Sequence, residues 1–293
     1  MKKTLAITVG DPAGIGPEIV RKALRSPLLP KGVLYKVIGL EASDSIPPGK
    51  LSPASATLAW AALEESITLW KTGKVHGIVT APIHKENMTS IGFPFPGHTE
   101  YFSKACGIAN EKTVMAFYDK TFCVALCTAH LPLSIALQSL NSSRVVETGK
   151  IFGNFLKKIG YRKPRIAIAG INPHAGEKGL FGLEEKRILL PAIRKLKDLG
   201  WTLSEPLPPD TVFYEASQGK FDGVIAHYHD QGLIPFKLLA FDRGVNVTLG
   251  LPLIRTSPDH GTALALAGKN KANSESMVQA IRLAVKLMLD RSF

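Results

Sequence analysis

The sequence predicts an α/β protein built around a mostly parallel sheet. Short runs rich in β-branched residues alternate with longer segments of helical periodicity along most of the chain, a pattern typical of α/β folds. Several of the short runs are apolar on successive residues, as expected for strands that are covered on both faces. The length of 293 residues predicts two domains, because about 150 residues usually form one domain.

Eight strands are predicted, each a short and mostly apolar run. In chain order they are Leu5–Val9, Leu34–Ile38, Gly77–Thr80, Val114–Tyr118, Phe122–Leu126, Arg165–Ala169, Gly223–Ala226 and Val245–Leu249. Helical patterns fill several of the intervals, namely Pro17–Leu24, Ala54–Trp70, Ser143–Ile159, Glu184–Leu199 and Asp210–Gln218.

The last predicted helix has the clearest pattern. Apolar residues recur at a spacing of three or four from Met277 to Met288, and Asn273-Ser274 can cap the helix that contains them. The stretch from residue 42 to residue 53 is rich in Ser, Pro and Gly. It predicts a surface loop and not a domain linker.

The charge balance points away from nucleic acid. Lys and Arg number 36 against 24 Asp and Glu, which gives a formal net charge of +12. The basic residues are scattered, and no run of five or more and no nucleic-acid-binding motif occurs among them. A solvated surface together with an anionic small molecule is therefore favoured.

The cysteines and the apolar runs predict a cytoplasmic protein. Cys106, Cys123 and Cys127 lack the spacing of a zinc site or a CxxC motif, which indicates reduced thiols. The apolar run that begins at Thr4 is too short for a signal peptide and meets Gly10-Asp11-Pro12. No run approaches the roughly 18 apolar residues of a membrane helix, so no membrane association is expected.

A glycine-rich loop joins the first strand to the first helix, from Gly10 to Pro17. Its glycines allow a close approach of the backbone, and a helix N-terminus favours an anion. The loop matches neither the Rossmann fingerprint nor the phosphate-binding loop of nucleotide hydrolases. A structural turn and a binding loop are equally compatible with it.

Histidines follow three of the predicted strands. His130, His174 and the pair His227 and His229 stand where ligands bind in parallel sheets, beyond the carboxyl ends of strands. Three converging imidazoles would form a divalent metal site, whereas isolated ones would be hydrogen-bonded polar residues. Since His227 and His229 point to opposite faces of a continuing strand, at most one of them is a ligand. Spacing alone leaves that choice open.

Two cations stand in apolar sequence further along the chain. Lys237 lies within the run 233–239 and Arg255 within the run 251–256. A cation in such a setting needs a counter-charge or a route to water. A phosphorylated substrate would supply the charge, with Arg as a bidentate donor, and reaching solvent is the alternative.

Seven short sequence motifs and one longer segment resemble those of the 4-hydroxythreonine-4-phosphate dehydrogenase family of pyridoxal phosphate biosynthesis. They are GDPAGIGPEI (10–19), TAPIHK (80–85), GHTE (97–100), TAHLPL (128–133), NPHAGE (172–177), DTVF (210–213), YHDQGLIPFK (228–237) and the segment 243–268. The resemblance runs nearly end to end. The region from about residue 31 to residue 50 is shortened relative to the family.

The resemblance implies a metal site, a substrate site and a fold. Its metal-ligand positions fall on His130, His174 and His229, and its substrate positions fall on His98, Thr99, Lys237, Asn246 and Arg255. Asp210 stands in a motif used near the metal, and Asp210 and Lys237 are the candidate catalytic residues. A metal-bound hydroxide is the alternative to Asp210 as proton acceptor. Two α/β domains flanking a cleft are implied, as in isocitrate and isopropylmalate dehydrogenases. Residues 1–125 with 246–293 would form the dinucleotide-side domain, and residues 126–245 the metal- and substrate-side domain.

A second resemblance concerns the cofactor. Residues 260–263, followed by Ala267-Gly268-Lys269 and Ala272-Asn273, are similar to the dinucleotide segment of isocitrate and isopropylmalate dehydrogenases. The similarity implies that His260, Gly261, Thr262, Ala263 and Asn273 contact NAD or NADP. One divalent ion per subunit, Zn²⁺, Mg²⁺, Mn²⁺ or Co²⁺, is also implied.

The implied reaction is an oxidative decarboxylation. The C3 hydroxyl of 4-phosphooxy-L-threonine is oxidised, and the resulting 3-keto acid loses carbon dioxide to give 3-amino-2-oxopropyl phosphate. The family resemblance further implies a homodimer whose metal sites draw on both subunits. The rival hypotheses are a paralogue that oxidises 4-phosphothreonate or 4-phosphoerythronate, a three-histidine metal-dependent hydrolase, and a non-catalytic binding module.

Overall fold

The computed structural model describes residues 2–290. These residues divide into two compact units, the first formed by residues 2–110 with 242–290 and the second by residues 111–241. The chain therefore passes between units at 110/111 and 241/242, where the sequence-based division has 125/126 and 245/246. No helix among residues 2–290 combines the length and apolar character needed to span a membrane.

Ten strands form within the described residues. They are β1 (Thr4–Thr8), β2 (Leu34–Ile38), β3 (Gly77–Thr80), β4 (Val114–Tyr118), β5 (Cys123–Leu126), β6 (Arg165–Ala169), β7 (Thr202–Leu207), β8 (Gly223–Ala226), β9 (Val245–Leu249) and β10 (Arg255–Pro258). All eight predicted strands are found, and their ends shift by at most one residue. The two strands that were not predicted, β7 and β10, lack a continuous apolar run.

Between residues 2 and 290 the chain also forms ten α-helices. They are α1 (Gly16–Leu24), α2 (Pro53–Lys71), α3 (Lys85–Ser90), α4 (His98–Ala105), α5 (Leu133–Ser139), α6 (Ser142–Lys158), α7 (Leu190–Asp198), α8 (Val212–Ser217), α9 (His229–Ala240) and α10 (Glu275–Leu289). The predicted helix over 184–199 is a π-helical turn, Glu185–Leu189, that continues into α7. Helices α3, α4, α5 and α9 were not predicted.

The strands of the first unit follow the order β2-β1-β3-β10-β9. Strands β2, β1, β3 and β10 are parallel, and β9 is antiparallel to β10. Helices α2 and α4 pack on this sheet through a buried cluster that includes Leu63, Ile78 and Phe102. The carboxyl ends of β1 and β3 lie at one edge, followed by the glycine-rich loop and by residues 81–85.

The strands of the second unit follow the order β4-β5-β8-β6-β7. Strands β5, β8, β6 and β7 are parallel, and only β4 runs against its neighbour β5. Phe117, Phe122 and Phe236 are buried in the cluster that joins this sheet to α9. A mostly parallel sheet, as predicted, therefore brings the residues after β5, β6 and β8 to one edge.

Two local predictions are resolved at the ends of helices. The loop predicted over 42–53 contains one 3₁₀ turn, Ala42–Ser45, and ends where Ser52 caps α2 by accepting from Ser55 N at 3.2 Å. Of the two residues predicted to cap α10, Asn273 accepts from Glu275 N at 2.9 Å through its Oδ1. Ser274 makes no capping side-chain bond with the residues described.

Candidate active site

Histidines gather at the carboxyl edge of the sheet in the second unit. His130 comes four residues after β5, and His229 opens α9, three residues after β8. The centroids of their two rings lie 5.5 Å apart, with the ring planes inclined by 41°. A cavity of about 280 Å³ beside them is lined by both histidines together with Leu131 and Leu133.

His229 is oriented by the residue that follows it. Its Nδ1 lies 2.7 Å from Oδ1 of Asp230. A carboxylate on one ring nitrogen fixes the tautomer and leaves the other nitrogen, Nε2, as the donor atom for a ligand or metal.

His227 has a different environment and is fully buried. Its Nε2 lies 2.7 Å from the carbonyl oxygen of Ala169, at the end of the neighbouring strand β6. Gln231 accepts from His227 N at 2.7 Å and donates to the carbonyl of Gly170 at 2.6 Å. Burial lowers the pKa of His227 to about 4. The geometry therefore gives His227 the role of tying two strand ends together and leaves His229 at the surface of the cavity.

His174 lies in an unusual turn after β6. The φ angles of residues 174–178 are 52°, 52°, 80°, 41° and 56°, all in the left-handed region. Only Gly176 among them adopts such angles without strain. The turn leaves His174 exposed, with its ring centroid 5.9 Å from that of Phe181.

A buried carboxylate supports this left-handed turn. Glu185 accepts from the backbone N–H groups of Ile171 and Asn172 at 2.8 and 2.7 Å, and from Asn172 Nδ2 at 3.0 Å. These three bonds account for the low solvent exposure of a charged side chain, because buried charges need partners. Sequence reasoning did not single out Glu185, since a lone Glu at a helix start carries no signal of burial.

The three predicted metal ligands do not meet within one chain. His130 and His229 are neighbours, but among residues 2–290 no three His, Cys, Asp or Glu side chains are grouped as a metal site. His174 does not line the cavity beside His130 and His229, so it is separate from the other two in the described part of the chain.

Arg255 forms the centre of a cationic site in the first unit. The residue lies on β10 and is only 3% exposed. Its guanidinium donates to Thr80 Oγ1 at 2.7 Å, to Thr248 Oγ1 at 3.1 Å and to Asn246 Oδ1 at 3.4 Å. All three partners are neutral, and Nε is buried without a hydrogen-bond partner in the described part of the chain. Burial lowers the pKa of Arg255 to about 9, and Glu100 acts in the opposite direction.

His98 adds a second buried nitrogen to this site. It is the first residue of α4, and its Nε2 is buried and has no hydrogen-bond partner within residues 2–290. Burial, followed by the positive charges of Arg255 and Lys85, holds the pKa of His98 well below 6.5. Its neighbour Thr99 is half-buried on the same first turn. Two buried nitrogens close to a further cation suit an anionic ligand.

Two contributors to the cationic site were missed although their motif was recognised. Thr80 and Lys85 are the first and last residues of the motif TAPIHK. The sequence analysis matched this motif to the family but assigned no role to its residues. The structure gives Thr80 a hydrogen bond with Arg255 and Lys85 an electrostatic effect on His98. The motif starts at the carboxyl end of the buried strand β3, and this position could have identified its residues as candidates for a ligand site.

Residues 260–273, here called the dinucleotide segment, follow β10 without forming a long helix. Gly261, Ala263 and Asn273 are exposed, His260 is half-buried and Thr262 is buried. The carbonyl of Thr262 accepts from Ile15 N at 2.9 Å. A Cβ at Gly14 would lie 2.7 Å from the same oxygen. The glycine-rich loop therefore packs against this segment and supports it. The absence of a side chain at Gly14 permits the close contact between the two.

Asp210 and Lys237 lie on the second unit. Asp210 is exposed just before α8 and Lys237 is half-buried on α9. Asp210 lines a largely apolar groove of about 530 Å³ with Tyr214, Ile234 and Leu238. This groove shares Tyr228 and Asp230 with the cavity beside His130 and His229.

The fold and these sites define the class of protein. An isocitrate dehydrogenase from Methylococcus capsulatus matches 98% of this chain with a TM-score of 0.56 at 12% identity. The predicted isocitrate dehydrogenase-like α/β fold is thus confirmed. A 4-hydroxythreonine-4-phosphate dehydrogenase structure from Klebsiella pneumoniae is closer, with a TM-score of 0.80 and 37% identity over 98% of this chain and 99% of that one.

The family follows from the sequence comparisons. The family model described as pyridoxal phosphate biosynthetic protein PdxA matches residues 20–284, and the chain belongs to this family. It is 41% identical to D-threonate 4-phosphate dehydrogenase of Salmonella typhimurium, over 97% of this chain and 99% of that protein. It is 38% identical to 4-hydroxythreonine-4-phosphate dehydrogenase of Zymomonas mobilis, over 96% and 95%. The predicted dehydrogenase class is confirmed.

The alignments also bear on the length of the chain. The alignment with the Salmonella typhimurium protein spans 325 positions, whereas this chain has 293 residues. At least 32 positions of that alignment (325 − 293) therefore have no counterpart here. A shortened chain is what the sequence predicted, with the missing part placed between residues 31 and 50.

Proposed function

We propose that the chain oxidises the C3 hydroxyl of 4-hydroxythreonine 4-phosphate with NAD or NADP, and that the product loses carbon dioxide. The single observation that carries this proposal is Arg255, a buried cation with neutral partners beside the buried Nε2 of His98. A doubly anionic substrate supplies the missing negative charge. The names and identities of the relatives support the same substrate class.

Positively charged groups and neutral hydrogen-bonding groups would together hold the substrate. Arg255 and His98 would bind its phosphate or carboxylate, assisted by Thr99 and Asn246, with Lys237 as a further cation. The guanidinium offers donors in a fixed planar fork that matches either anion. The low pKa of His98 keeps its ring neutral near pH 7 in the absence of ligand, so the ring donates one N–H without adding a second buried charge.

The dinucleotide would lie on the first unit. The residues proposed to contact it are His260, Gly261, Thr262, Ala263 and Asn273. Gly261 and Ala263 are exposed, and their small size would let the dinucleotide approach the backbone closely. The nicotinamide supplies the hydride acceptor for C3. Removal of hydride and of the hydroxyl proton gives a 3-keto acid, from which carbon dioxide and 3-amino-2-oxopropyl phosphate form. Asp210 and Lys237 are the proposed proton-transfer residues.

The exposed histidines fit a divalent ion of the Zn²⁺, Mg²⁺, Mn²⁺ or Co²⁺ group. His130 and His229 are adjacent and accessible, and Asp230 orients His229 as carboxylates do in known metal sites. An ion held there would polarise the C3 oxygen of the substrate. His174 is proposed to complete the set from a second copy of the chain, because it stands apart from the other two within one chain.

A homodimer is supported by the apolar surface of the second unit. Ile234 and Leu238 on α9 are 67% and 84% exposed, and Leu133, Ile135 and Leu137 on α5 are also exposed. Such a concentration of exposed apolar side chains marks an interaction surface. The groove below Ile234 and Leu238 adjoins the cavity of His130 and His229. A second copy that covers α9 would therefore reach the histidines.

One assay tests the proposal. Dinucleotide reduction is followed by absorbance with 4-hydroxythreonine 4-phosphate as substrate, before and after chelation of divalent ions. Turnover that requires both the phosphorylated substrate and the metal supports the proposal. Hydrolysis of the substrate without any dinucleotide would contradict it and favour a metal-dependent hydrolase.

A second candidate substrate is D-threonate 4-phosphate, favoured by the 41% identity to the Salmonella typhimurium enzyme named for it. The two substrates differ at C2, which carries an amino group in one and a hydroxyl in the other. The same assay with both compounds decides between them, because the preferred substrate is the one with the higher kcat/KM.

A further inference from the structure

We infer that Glu18 and Lys22, both on α1, position the dinucleotide segment and thereby set the affinity of the chain for its dinucleotide. The inference rests on the proposed function, since the segment matters only if a dinucleotide binds there. The two residues are one turn apart on the helix and form an ion pair with an N–O distance of 2.8 Å. Neither residue was a candidate in the sequence.

The ion pair is bound to the backbone of the segment at three points. Lys22 Nζ donates to the carbonyl oxygens of Asn270 and Ala272 at 3.0 and 2.9 Å. Glu18 Oε1 accepts from Ala272 N at 2.8 Å. Together with Glu18, these two carbonyls use all three N–H donors of the ammonium group.

The segment depends on such external bonds. Gly268 and Asn270 have φ angles of 74° and 54°, and residues 271–274 lie in neither a helix nor a strand. Backbone groups outside regular structure must find partners elsewhere, and a charged partner gives the stronger bond. Lys22 and Glu18 supply that partner next to Asn273, the last proposed dinucleotide contact.

The other end of the segment is fixed by the same part of the chain. Ile15 N, in the turn that opens α1, donates to the carbonyl of Thr262 at 2.9 Å. The glycine-rich loop and α1 thus hold the segment at Thr262 and again at Asn270 and Ala272. The glycine-rich loop thus has a structural role in supporting the segment, whether or not it also binds a ligand.

Loss of the ammonium group should therefore weaken dinucleotide binding selectively. Lys22→Met keeps the side chain up to its ε atom but leaves two carbonyls without their charged donor. We expect the KM for the dinucleotide to rise about tenfold, the usual size of a lost charge-assisted bond. The KM for the phosphorylated substrate and kcat should change less than about twofold. Lys22→Arg, which keeps charge and donors, should restore most of the affinity.

Lys150→Met is the matched control. Lys150 forms a similar ion pair with Glu147 within α6, at 3.0 Å, and lies in the other unit. The Lys150→Met variant should change neither the KM for the dinucleotide nor the KM for the phosphorylated substrate. Should Lys22→Met fail to fold, Glu18→Gln keeps the size and the acceptor oxygen while removing the charge, and the same selective rise in dinucleotide KM is expected at smaller size.

The outcomes separate the inference from the proposed function. If the unchanged protein is active and both variants have the same dinucleotide KM as the unchanged protein, the inference is overturned and the proposed function is not. Equal rises in the KM values for dinucleotide and substrate would also overturn it, because they indicate general loosening of the fold. An unchanged protein that reduces no dinucleotide with either phosphorylated substrate refutes the proposed function and the inference together.

Discussion

Arg255 is buried among hydroxyl and amide partners that cannot neutralise it. Thr80, Thr248 and Asn246 orient the guanidinium without competing for its charge. An arriving anion therefore displaces no hydrogen-bonded carboxylate and is attracted by a poorly solvated cation, on which Glu100 acts without a hydrogen bond to it in the described residues. The neutral shell explains why a residue so costly to bury is useful at this position.

Arg255→Lys tests this interpretation. The lysine keeps the charge but loses the planar fork, so the KM for the phosphorylated substrate should rise about tenfold while the dinucleotide KM stays constant. Steady-state kinetics with each substrate varied in turn measures both. Arg165→Lys is a suitable control, because the guanidinium of Arg165 is half-exposed and already paired with the buried carboxylate of Asp222. An unchanged substrate KM in Arg255→Lys would show that the residue binds no anion.

His98 predicts a pH dependence of stability. Its pKa in the folded chain lies well below 6.5 because its Nε2 is buried near Arg255 and Lys85. Below pH 6.5 the unfolded chain binds a proton that the folded chain does not, so the free energy of unfolding falls as the pH is lowered from that value. One such group contributes a slope of at most about 1.4 kcal/mol per pH unit.

Urea denaturation between pH 7 and pH 5 measures this slope. His98→Gln should reduce it, and the lowered pKa of His227 leaves a remaining slope of the same sign. His76→Gln, at a half-buried histidine whose Nδ1 accepts from Thr4 N, serves for comparison. Identical slopes in the unchanged protein and His98→Gln would contradict the prediction.

At the scale of elements, the turn at 174–178 depends on the helix start at Glu185. Glu185→Ala leaves the backbone N–H groups of Ile171 and Asn172 without an acceptor, and the free energy of unfolding should fall by about 2–4 kcal/mol. Urea denaturation at pH 7 gives the value. Glu184→Ala is the matched control, since Glu184 is exposed and its carboxylate accepts from the side chain of Asn172, at 2.7 Å, and not from the backbone N–H groups of Ile171 and Asn172 that Glu185 binds. Equal losses in the two variants would mean that burial of Glu185 has no special role.

The elements that sequence reasoning found are those whose side chains repeat regularly. Most of the eight predicted strands are apolar because both their faces are covered, so burial itself produced the signal; β2 is the exception, since Leu34 is 52% exposed. Strand β10 is equally buried but reads Arg-Thr-Ser-Pro. Several of its polar groups have specific partners, such as the carbonyl of Ala280, which accepts from Thr256 Oγ1. No local pattern reveals such pairing.

Helix α9 illustrates a different limit. It contains Gly232 and Pro235, two residues that disfavour helices, and its outer side carries the apolar Ile234 and Leu238 instead of polar residues. An exposed apolar face of this kind is expected where a partner covers it, as in the homodimer proposed above. The sequence could name His229 and Lys237 through their motif, but it could not show that one helix carries both.

At the scale of the whole molecule, the separation of His174 from His130 and His229 predicts subunit complementation. His130→Ala and His174→Ala should each be inactive and lack bound metal. After mixing and subunit exchange, a mixed dimer has one site in which all three histidines are intact. With random exchange, about a quarter of the original sites are restored, since half of the dimers are mixed and each has one of two sites.

Activity and metal content after exchange measure this restoration. A mixture of His130→Ala with His229→Ala is the control, because both lost histidines belong to the same side of the site and no intact set can form. Exchange itself is confirmed by native mass spectrometry with chains of different mass. Absence of recovery in the first mixture, with exchange complete, would mean that His130 and His174 enter a metal site from the same chain, which contradicts the prediction.

The turn that presents His174 has a stereochemical consequence. Its five residues adopt the backbone angles that amino acids of D configuration prefer, because mirror-image residues exchange the sign of φ. A D-alanine placed at position 175 by chemical ligation would therefore relieve strain that the natural enantiomer bears. The same replacement inside α6 would disrupt a right-handed helix. The chirality of a single residue could thus be used to stiffen the turn that carries His174 while every hydrogen bond to Glu185 is kept.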